Sequence, residues 1–353
     1  MGEPARAYVG SAMRQTISAL FGLTLLLFVA CGGLRPLGRH PSPSIPPPGA
    51  PAAGTTVRLW QDAAIFTVVR RLIDGAASGQ PVWVEMYEFG RPDLAAALQR
   101  ARDLGADVRL IVDRTVSVSA RTADRLAATG LPVRSYPVDD RRHQIDHVKL
   151  LLSGPTALVG GMNWGRTSAA NHDYAFETAS LDALGRLRAI FEQDWSLSGG
   201  RSAPLATAPG PVAQTAPGQE VRSALMTALG SARRSVGAEV FVLTDPDVIS
   251  ALAAAHRRGA RVRVLLDQGQ DVNRPGFSLL RSVGVEVRWY PVPAGAKLHA
   301  KAGLFDGRTL LLGSANWSES GLSVNHELDL LSEDAAATAA FATRFEQDWS
   351  ASA

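Results

Sequence analysis

Lysine occurs only at Lys149, Lys297 and Lys301 in a chain with 36 basic residues, and two of the three follow a histidine by two positions, as His147-Val148-Lys149 and His299-Ala300-Lys301. Arginine serves at every other cationic position, so a retained lysine marks a place that needs a compact ammonium rather than a planar fork. Asparagine is almost as sparse: of five, Asn163 matches Asn316 and Asn171 matches Asn325. An imidazole, an ammonium and a carboxamide at one spot can hold and attack a phosphoryl group, because the cation and the amide neutralise its oxygens while the imidazole supplies a nucleophile or a proton. On a strand, residues two apart share a face, so Lys297, His299 and Lys301 project together and Leu298 and Ala300 oppose them. The segments that follow, TALVGGMN and TLLLGSAN, end in small residues that let the backbone with Asn163 or Asn316 approach an anion.

The rare residues repeat because the chain repeats. Pro92-Asp93 recurs at Pro246-Asp247, Tyr136 at Tyr290, Asn163-Trp164 at Asn316-Trp317 and the FEQDWS of Phe191 at Phe345, all at offsets of 153 or 154, while the two H-x-K motifs stand 152 apart. This predicts two copies of one unit of ordinary domain size, over 57–198 and 220–353, joined by a Gly-, Pro- and Ala-rich linker at 199–219. In each copy a helix opens on Pro and closes before Gly, a β-branched run follows, and helix and strand alternate further. The expected fold is α/β: two duplicated α/β/α units with mixed sheets, related by a pseudo-twofold.

These residues resemble the signature of the phospholipase D superfamily: H-x-K, four residues, Asp, six residues, then G-[GS]-x-N. The second copy carries all of it in His299, Lys301, Asp306, Gly313, Ser314 and Asn316. The first has His147, Lys149, Gly160, Gly161 and Asn163, with Gly154 in the Asp position and a turn one residue shorter. The resemblance implies one active site between the copies and two-step covalent catalysis. His147 is then the nucleophile that forms a phosphohistidine and His299 the general acid. Lys149, Lys301, Asn163 and Asn316 hold the phosphoryl oxygens, with Gly161 and Ser314 beside the substrate and Asp306 a structural member of its motif. It also implies a carboxylate that fixes each histidine; Asp173 and Glu327 stand 26 residues after His147 and 28 after His299, without indicating which serves which.

Other features have plainer readings. His172 and His326, inside NHD and NHE, read as turn or supporting residues, Glu85 and Glu239 as structural carboxylates on strands, and FEQDWS as a helix end packing Trp195 and Trp349. His143 to His147, HQIDH, copies the spacing of a zinc motif but lacks its Glu and runs into a strand pattern, and Gly295 stands opposite His143 in the second copy, so neither a metal nor another cofactor is expected.

Ahead of the repeats, residues 1–30 read as a secretory signal, because the apolar run Ile17 to Ala30 is short for a membrane span and follows Arg14. Cys31, the single cysteine, closes a lipobox-like FVAC and is the expected lipidation site, and the Pro-rich stretch to residue 56 reads as a spacer. One cysteine excludes an internal disulfide and a cysteine zinc cage. A net charge of +3 is too small to argue for nucleic acid by steering alone. The expectation is a secreted or cell-envelope lipoprotein, anchored to the membrane and acting as a monomer, that hydrolyses phospholipid headgroup esters. Its alternatives are an endonuclease, a phosphatidyltransferase of the cardiolipin-synthase kind, or an inactive binding module with the same fold.

Overall fold

The computed structural model describes residues 57–201 and 210–352. The signal, Cys31 and the Pro-rich spacer lie outside the described residues. The first unit runs β1 (Val57–Gln61), α1 (Ala64–Asp74), β2 (Pro81–Met86), α2 (Pro92–Asp103), β3 (Asp107–Val112), α3 (Ser117–Ala128), β4 (Val133–Ser135), β5 (Lys149–Ser153), β6 (Thr156–Gly160), β7 (Tyr174–Thr178) and α4 (Leu181–Leu197). The second runs β8 (Val212–Thr215), α5 (Glu220–Ser231), β9 (Ser235–Val240), α6 (Pro246–Arg257), β10 (Arg261–Asp267), α7 (Arg274–Ser282), β11 (Glu286–Tyr290), β12 (Lys301–Phe305), β13 (Thr309–Gly313), β14 (Glu327–Ser332) and α8 (Ala335–Ala351).

Each unit forms a seven-stranded mixed sheet. The first has the order β1-β7-β6-β5-β2-β3-β4, and the second repeats it strand for strand as β8-β14-β13-β12-β9-β10-β11. β2, β3 and β4 run parallel, as do β9, β10 and β11, and the remaining pairs are antiparallel. The parallel strands are linked by α2 and α6, which open on Pro92 and Pro246 as the sequence predicts; an N-terminal proline gives up only an N–H that the helix leaves unbonded anyway.

The core explains why the two units form one body. On one face of each sheet an apolar layer is private to its unit, with Val69, Val84 and Leu98 in the first and Leu225, Val240 and Leu252 in the second. The opposite faces share a third layer that mixes both units: Trp83, Leu150 and Phe191 with Ala300, Leu312 and Phe341. Tyr174 of β7 packs on Phe341 of α8 with ring centroids 5.1 Å apart. Burial of this shared layer drives association of the halves by the same apolar term that folds each of them.

The turn after each H-x-K strand shows how the two signatures differ. Asp306, at φ 54°, accepts the main-chain N–H groups of Arg233, Arg234 and Ser235 and so ties the β12–β13 turn to the start of β9. Gly154 takes the equivalent left-handed position at φ +52°, and its N–H still reaches the carbonyl of Pro81 as that of Asp306 reaches Ser235. A β-carbon there would come within 3.0 Å of Gln80 Oε1, so the Gln80 amide fills the space that a motif carboxylate would need.

Candidate active site

Neither histidine of the H-x-K pairs lies within a strand, as the alternation had suggested; β5 and β12 begin at Lys149 and Lys301. The residues just before them are fixed by the opposite unit. The N–H of His147 donates to the carbonyl of His326 at 2.8 Å and that of His326 to Ile145 at 2.9 Å; likewise His299 N–H donates to His172 at 2.8 Å and His172 N–H to Lys297 at 2.8 Å. Two carboxylates at the ends of β3 and β10 clasp the same segments: Asp113 accepts the N–H of Asp146 at 2.8 Å and Asp267 that of Leu298 at 2.7 Å.

The side chains cross in the same way. His147 Nδ1 lies 2.9 and 3.0 Å from the two oxygens of Glu327, and His299 Nδ1 lies 2.7 Å from Asp173 Oδ2. The carboxylate nearer in sequence to each histidine therefore serves the other one. An Nδ1–H donated to a carboxylate leaves the Nε2 lone pair free for chemistry. Ser314 Oγ donates to Glu327 Oε2 at 2.5 Å and Asn325 Nδ2 to Oε1 at 3.2 Å, so Ser314 holds the carboxylate rather than only bordering the substrate space. In the first unit Gly161 has the matching position, and a β-carbon on it would fall 2.4 Å from Asp173 Oδ1.

Both lysines are almost wholly buried. Lys149 Nζ donates to the carbonyl of His147 at 2.5 Å; Lys301 Nζ donates to the carbonyl of His299 and stands 3.1 Å from that ring's nitrogens. Tyr87 and Phe241, matched residues at the ends of β2 and β9, flank this arrangement. Each ring centroid lies 4.8 Å from a histidine, and Lys149 and Lys301 lie 5.1 and 5.0 Å from them. Asn163 Nδ2 reaches Glu88 at 3.3 Å, while the Oδ1 atoms of Asn163 and Asn316 have no partner. Lys297 is set apart, 5.5 Å over Phe241.

Burial governs the electrostatics. It depresses Lys149 to about 7 and Lys301 to about 8, against the pull of Glu327 and Asp173. It holds both histidines well below the usual imidazole value, and the two ammonium charges push them further down. It raises Asp173 to about 7 and Glu327 to about 8. The charges of His147 and Lys149 are both felt at His299, so all these groups share one centre. A bound anion would supply the charge this centre lacks, and a neutral imidazole with a free Nε2 is the form that can attack phosphorus.

Sequence reasoning passed over Tyr87 and Phe241 as well as Asp113 and Asp267. Each pair is separated by 154 positions, so the repeat that exposed the histidines also marks them. His172 and His326 are not turn residues; both bury their rings in carboxylate clusters between the units. The Asp of each FEQDWS belongs to one of these clusters, a role beyond packing a tryptophan.

A duplicated α/β unit that joins two H-x-K pairs into one cationic cradle defines the phospholipase D class of folds. The chain belongs to the phospholipase D-like family: the family model described as "Cardiolipin synthase, PLD-like domain" matches residues 69–195 and again 225–349. Among curated proteins it is similar to the human mitochondrial cardiolipin hydrolase, 34% identical over 133 residues, covering 37% of this chain and 52% of that protein. Cardiolipin synthase A of Citrobacter koseri is 31% identical over 127 residues, 33% of this chain and 24% of that protein. The match spans about half the length of the cardiolipin hydrolases. In fold the chain is similar to the phosphatidylserine synthase of Haemophilus influenzae, with a TM-score of 0.67, 13% identity and coverage of 86% of this chain and 87% of that one. Such relatives suggest an enzyme of the phosphodiesterase type.

Proposed function

We propose that the chain hydrolyses the headgroup ester of a phospholipid through a phosphohistidine on His147. The observation that carries this reading is the crossed pair of histidine–carboxylate contacts around two buried lysines, which gives one histidine to each side of a bound phosphodiester. Lys149, Lys301, Asn163 and Asn316 hold the phosphoryl oxygens, and the bound anion restores the charges that burial weakens. Substrate binds to the form in which His299 carries a second proton on Nε2, stabilised by the anion and Asp173; Nε2 of His147 attacks phosphorus as the bond to the headgroup oxygen breaks, and that oxygen leaves with this proton. Water then attacks the phosphorus, gives its proton back to His299, and releases phosphatidic acid as the P–N bond breaks. The cardiolipin hydrolases and the cardiolipin synthase among its relatives favour a lipid substrate.

Incubation with phospholipid vesicles and, in parallel, with single-stranded oligonucleotides tests the reading. The expected result is phosphatidic acid together with an acid-labile, base-stable phosphoenzyme that is absent in His147→Asn. Oligonucleotide cleavage without lipid turnover would make the chain a nuclease, and transfer to an added alcohol in preference to water would make it a phosphatidyltransferase. Absence of any phosphoenzyme would refute the mechanism. Lipidation at Cys31 is part of the same proposal, since an anchor would hold the site beside its substrate; a palmitate analogue should label the wild type and not Cys31→Ser.

A further inference from the structure

Away from the phosphate cradle, two histidine–carboxylate clusters lie between the units at matched positions. Their compositions differ in one respect that matters. His172 is saturated: Nδ1 meets Asp62 at 2.6 Å and Arg344 at 3.2 Å, and Nε2 meets Glu239 at 2.8 Å and Asp348 at 3.2 Å, with the Tyr174 hydroxyl 3.1 Å away. Arg344 also pairs with Asp348 at 2.7 Å and Asp62 at 3.1 Å, so its fixed cation compensates the acids.

The His326 cluster has no such cation. Ile190 replaces Arg344, Ala216 replaces Asp62, and a third acid, Asp146, stands where the other cluster has Leu298. His326, Glu85, Asp146 and Asp194 are all 0% exposed. Among the described residues, no Lys or Arg comes within ion-pair distance of these three carboxylates. Neither oxygen of Glu85, nor Asp194 Oδ1, nor Asp146 Oδ2 has a hydrogen-bond partner. Buried carboxylates left this way are costly unless a proton or a cation joins them.

A proton on His326 Nε2 would satisfy Asp194 Oδ2 alone, 3.0 Å away, whereas the geometry also suits a metal cation shared by all three side chains. His326 Nδ1 donates to the carbonyls of Thr215 and Ala216 at 3.2 and 3.0 Å, which fixes the tautomer and turns Nε2 toward the acids. A ring nitrogen anchored to backbone carbonyl while the other faces carboxylates is the usual outer support of a metal-bound histidine. Nε2 lies 3.0 Å from Asp194 Oδ2 and 3.7 Å from Glu85 Oε1. Tetrahedral zinc with bonds of about 2.0–2.1 Å sets its ligand atoms roughly 3.3 Å apart, between those two values. Tyr136 stacks on His326 at 4.5 Å and also lines an open cleft of about 660 Å³, together with Gln193 and Ala216, so a single ring separates the cluster from the cleft.

We propose that Glu85, Asp194 and His326 bind one divalent transition cation of the zinc class, with Asp146 beside them, and that this ion locks the two units together. The site is structural and its ligands are not those that hold the phosphate, although Asp146 adjoins His147; metal content and Tm are read without the reaction, so the proposal stands or falls apart from the function assigned above.

The test uses the full chain without an affinity tag, stripped of metal, loaded with zinc, dialysed and analysed for metal content. One equivalent per chain is expected, with a rise in Tm of about 5 °C at a free zinc concentration near 100 times Kd. Cobalt in its place should give the visible bands of a tetrahedral site. Glu85→Gln and Asp194→Asn should lose both the metal and the Tm rise, while Glu239→Gln, in the arginine-compensated cluster, should keep them. Should Glu85→Gln fail to fold, loss of the cobalt bands in Asp194→Asn decides the matter. Substoichiometric zinc with no Tm response in the wild type overturns the proposal and leaves protons as the compensating charge. Metal retained by both Glu85→Gln and Asp194→Asn overturns it too, by placing the ion elsewhere.

Discussion

The crossed contacts predict that Glu327, in the second unit, controls His147 in the first. Glu327→Gln tests this with little change of shape. Both carboxylate oxygens already accept from protein donors, Asn325 at 3.2 Å and Ser314 at 2.5 Å, and Ser314 Oγ in turn accepts the N–H of Leu328 at 3.0 Å. A glutamine must therefore turn an NH₂ toward a group that donated to its predecessor. The amide that keeps the Asn325 bond donates to His147 Nδ1 and moves the ring proton to Nε2, the atom that attacks phosphorus. Losing one charge-assisted hydrogen bond costs about 1.5–3 kcal/mol, or roughly 10- to 150-fold in the rate of phosphoenzyme formation. The assay is single-turnover formation of labelled phosphoenzyme, with Glu327→Gln made alone and in His299→Asn, both of which keep the nucleophile. Glu327→Gln should slow phosphoenzyme formation by the same factor in either background, so that its loss multiplies with that of His299→Asn. If Glu327→Gln is instead silent in His299→Asn, the carboxylate serves the histidine of its own unit and the crossed geometry is wrong.

Three further outcomes follow from the same geometry. His299→Asn should lose about 10²–10⁴-fold on a natural ester but keep most of its first-step rate on a p-nitrophenyl ester, whose phenolate leaves without a proton, whereas His147→Asn should lose both substrates; the reverse pattern would exchange their roles. Affinity for tungstate, measured by calorimetry, should fall as pH rises through about 7 to 8, because Lys149 and Lys301 lose their ammonium protons there while Asp173 and Glu327 gain charge; an affinity that stays flat to pH 9 would contradict the depressed lysines. Phe341→Ala, at a fully buried ring in the shared layer, should cost about 3–5 kcal/mol and lower one melting transition, and two separated transitions would show that the units unfold independently.

The residues that meet at the candidate site were legible in the sequence because lysine and asparagine are rare elsewhere in the chain, and duplication gave Lys149, Asn163 and Asn171 partners at a fixed offset. The same offset predicted two α/β units, and the sheets agree strand for strand. What the sequence could not convey is which unit each side chain serves. Asp173 lies 26 residues after His147, a spacing that leaves its partner open, and the pairing of His172 with Leu298 across the units carries it to His299. Such pairing is a property of the interface, and no one-dimensional spacing encodes it. The metal-like spacing of HQIDH carried a second lesson: its Asp146 ends beside Glu85, Asp194 and His326, side chains spread over 241 positions that only folding brings together.

The crossing also explains why symmetric parts can take asymmetric roles. Two copies related by an exact twofold would give equivalent histidines, whose roles only the orientation of an asymmetric substrate could then distinguish. The units break this equivalence where they support the site. Glu327 is steadied by Ser314 and Asn325, while Asp173 rests against Gly161 and accepts the N–H of Tyr174 at 2.8 Å. His326, next to Glu327, sits among acids without a fixed cation, and His172, next to Asp173, sits among acids neutralised by Arg344. Asp173 feels the charge of its neighbour His172, whereas Glu327 answers to Lys149, Ser314 and Asn325. Duplication supplies the pair of phosphate-binding halves; the unlike surroundings of Asp173 and Glu327 are where two like halves become two unlike partners.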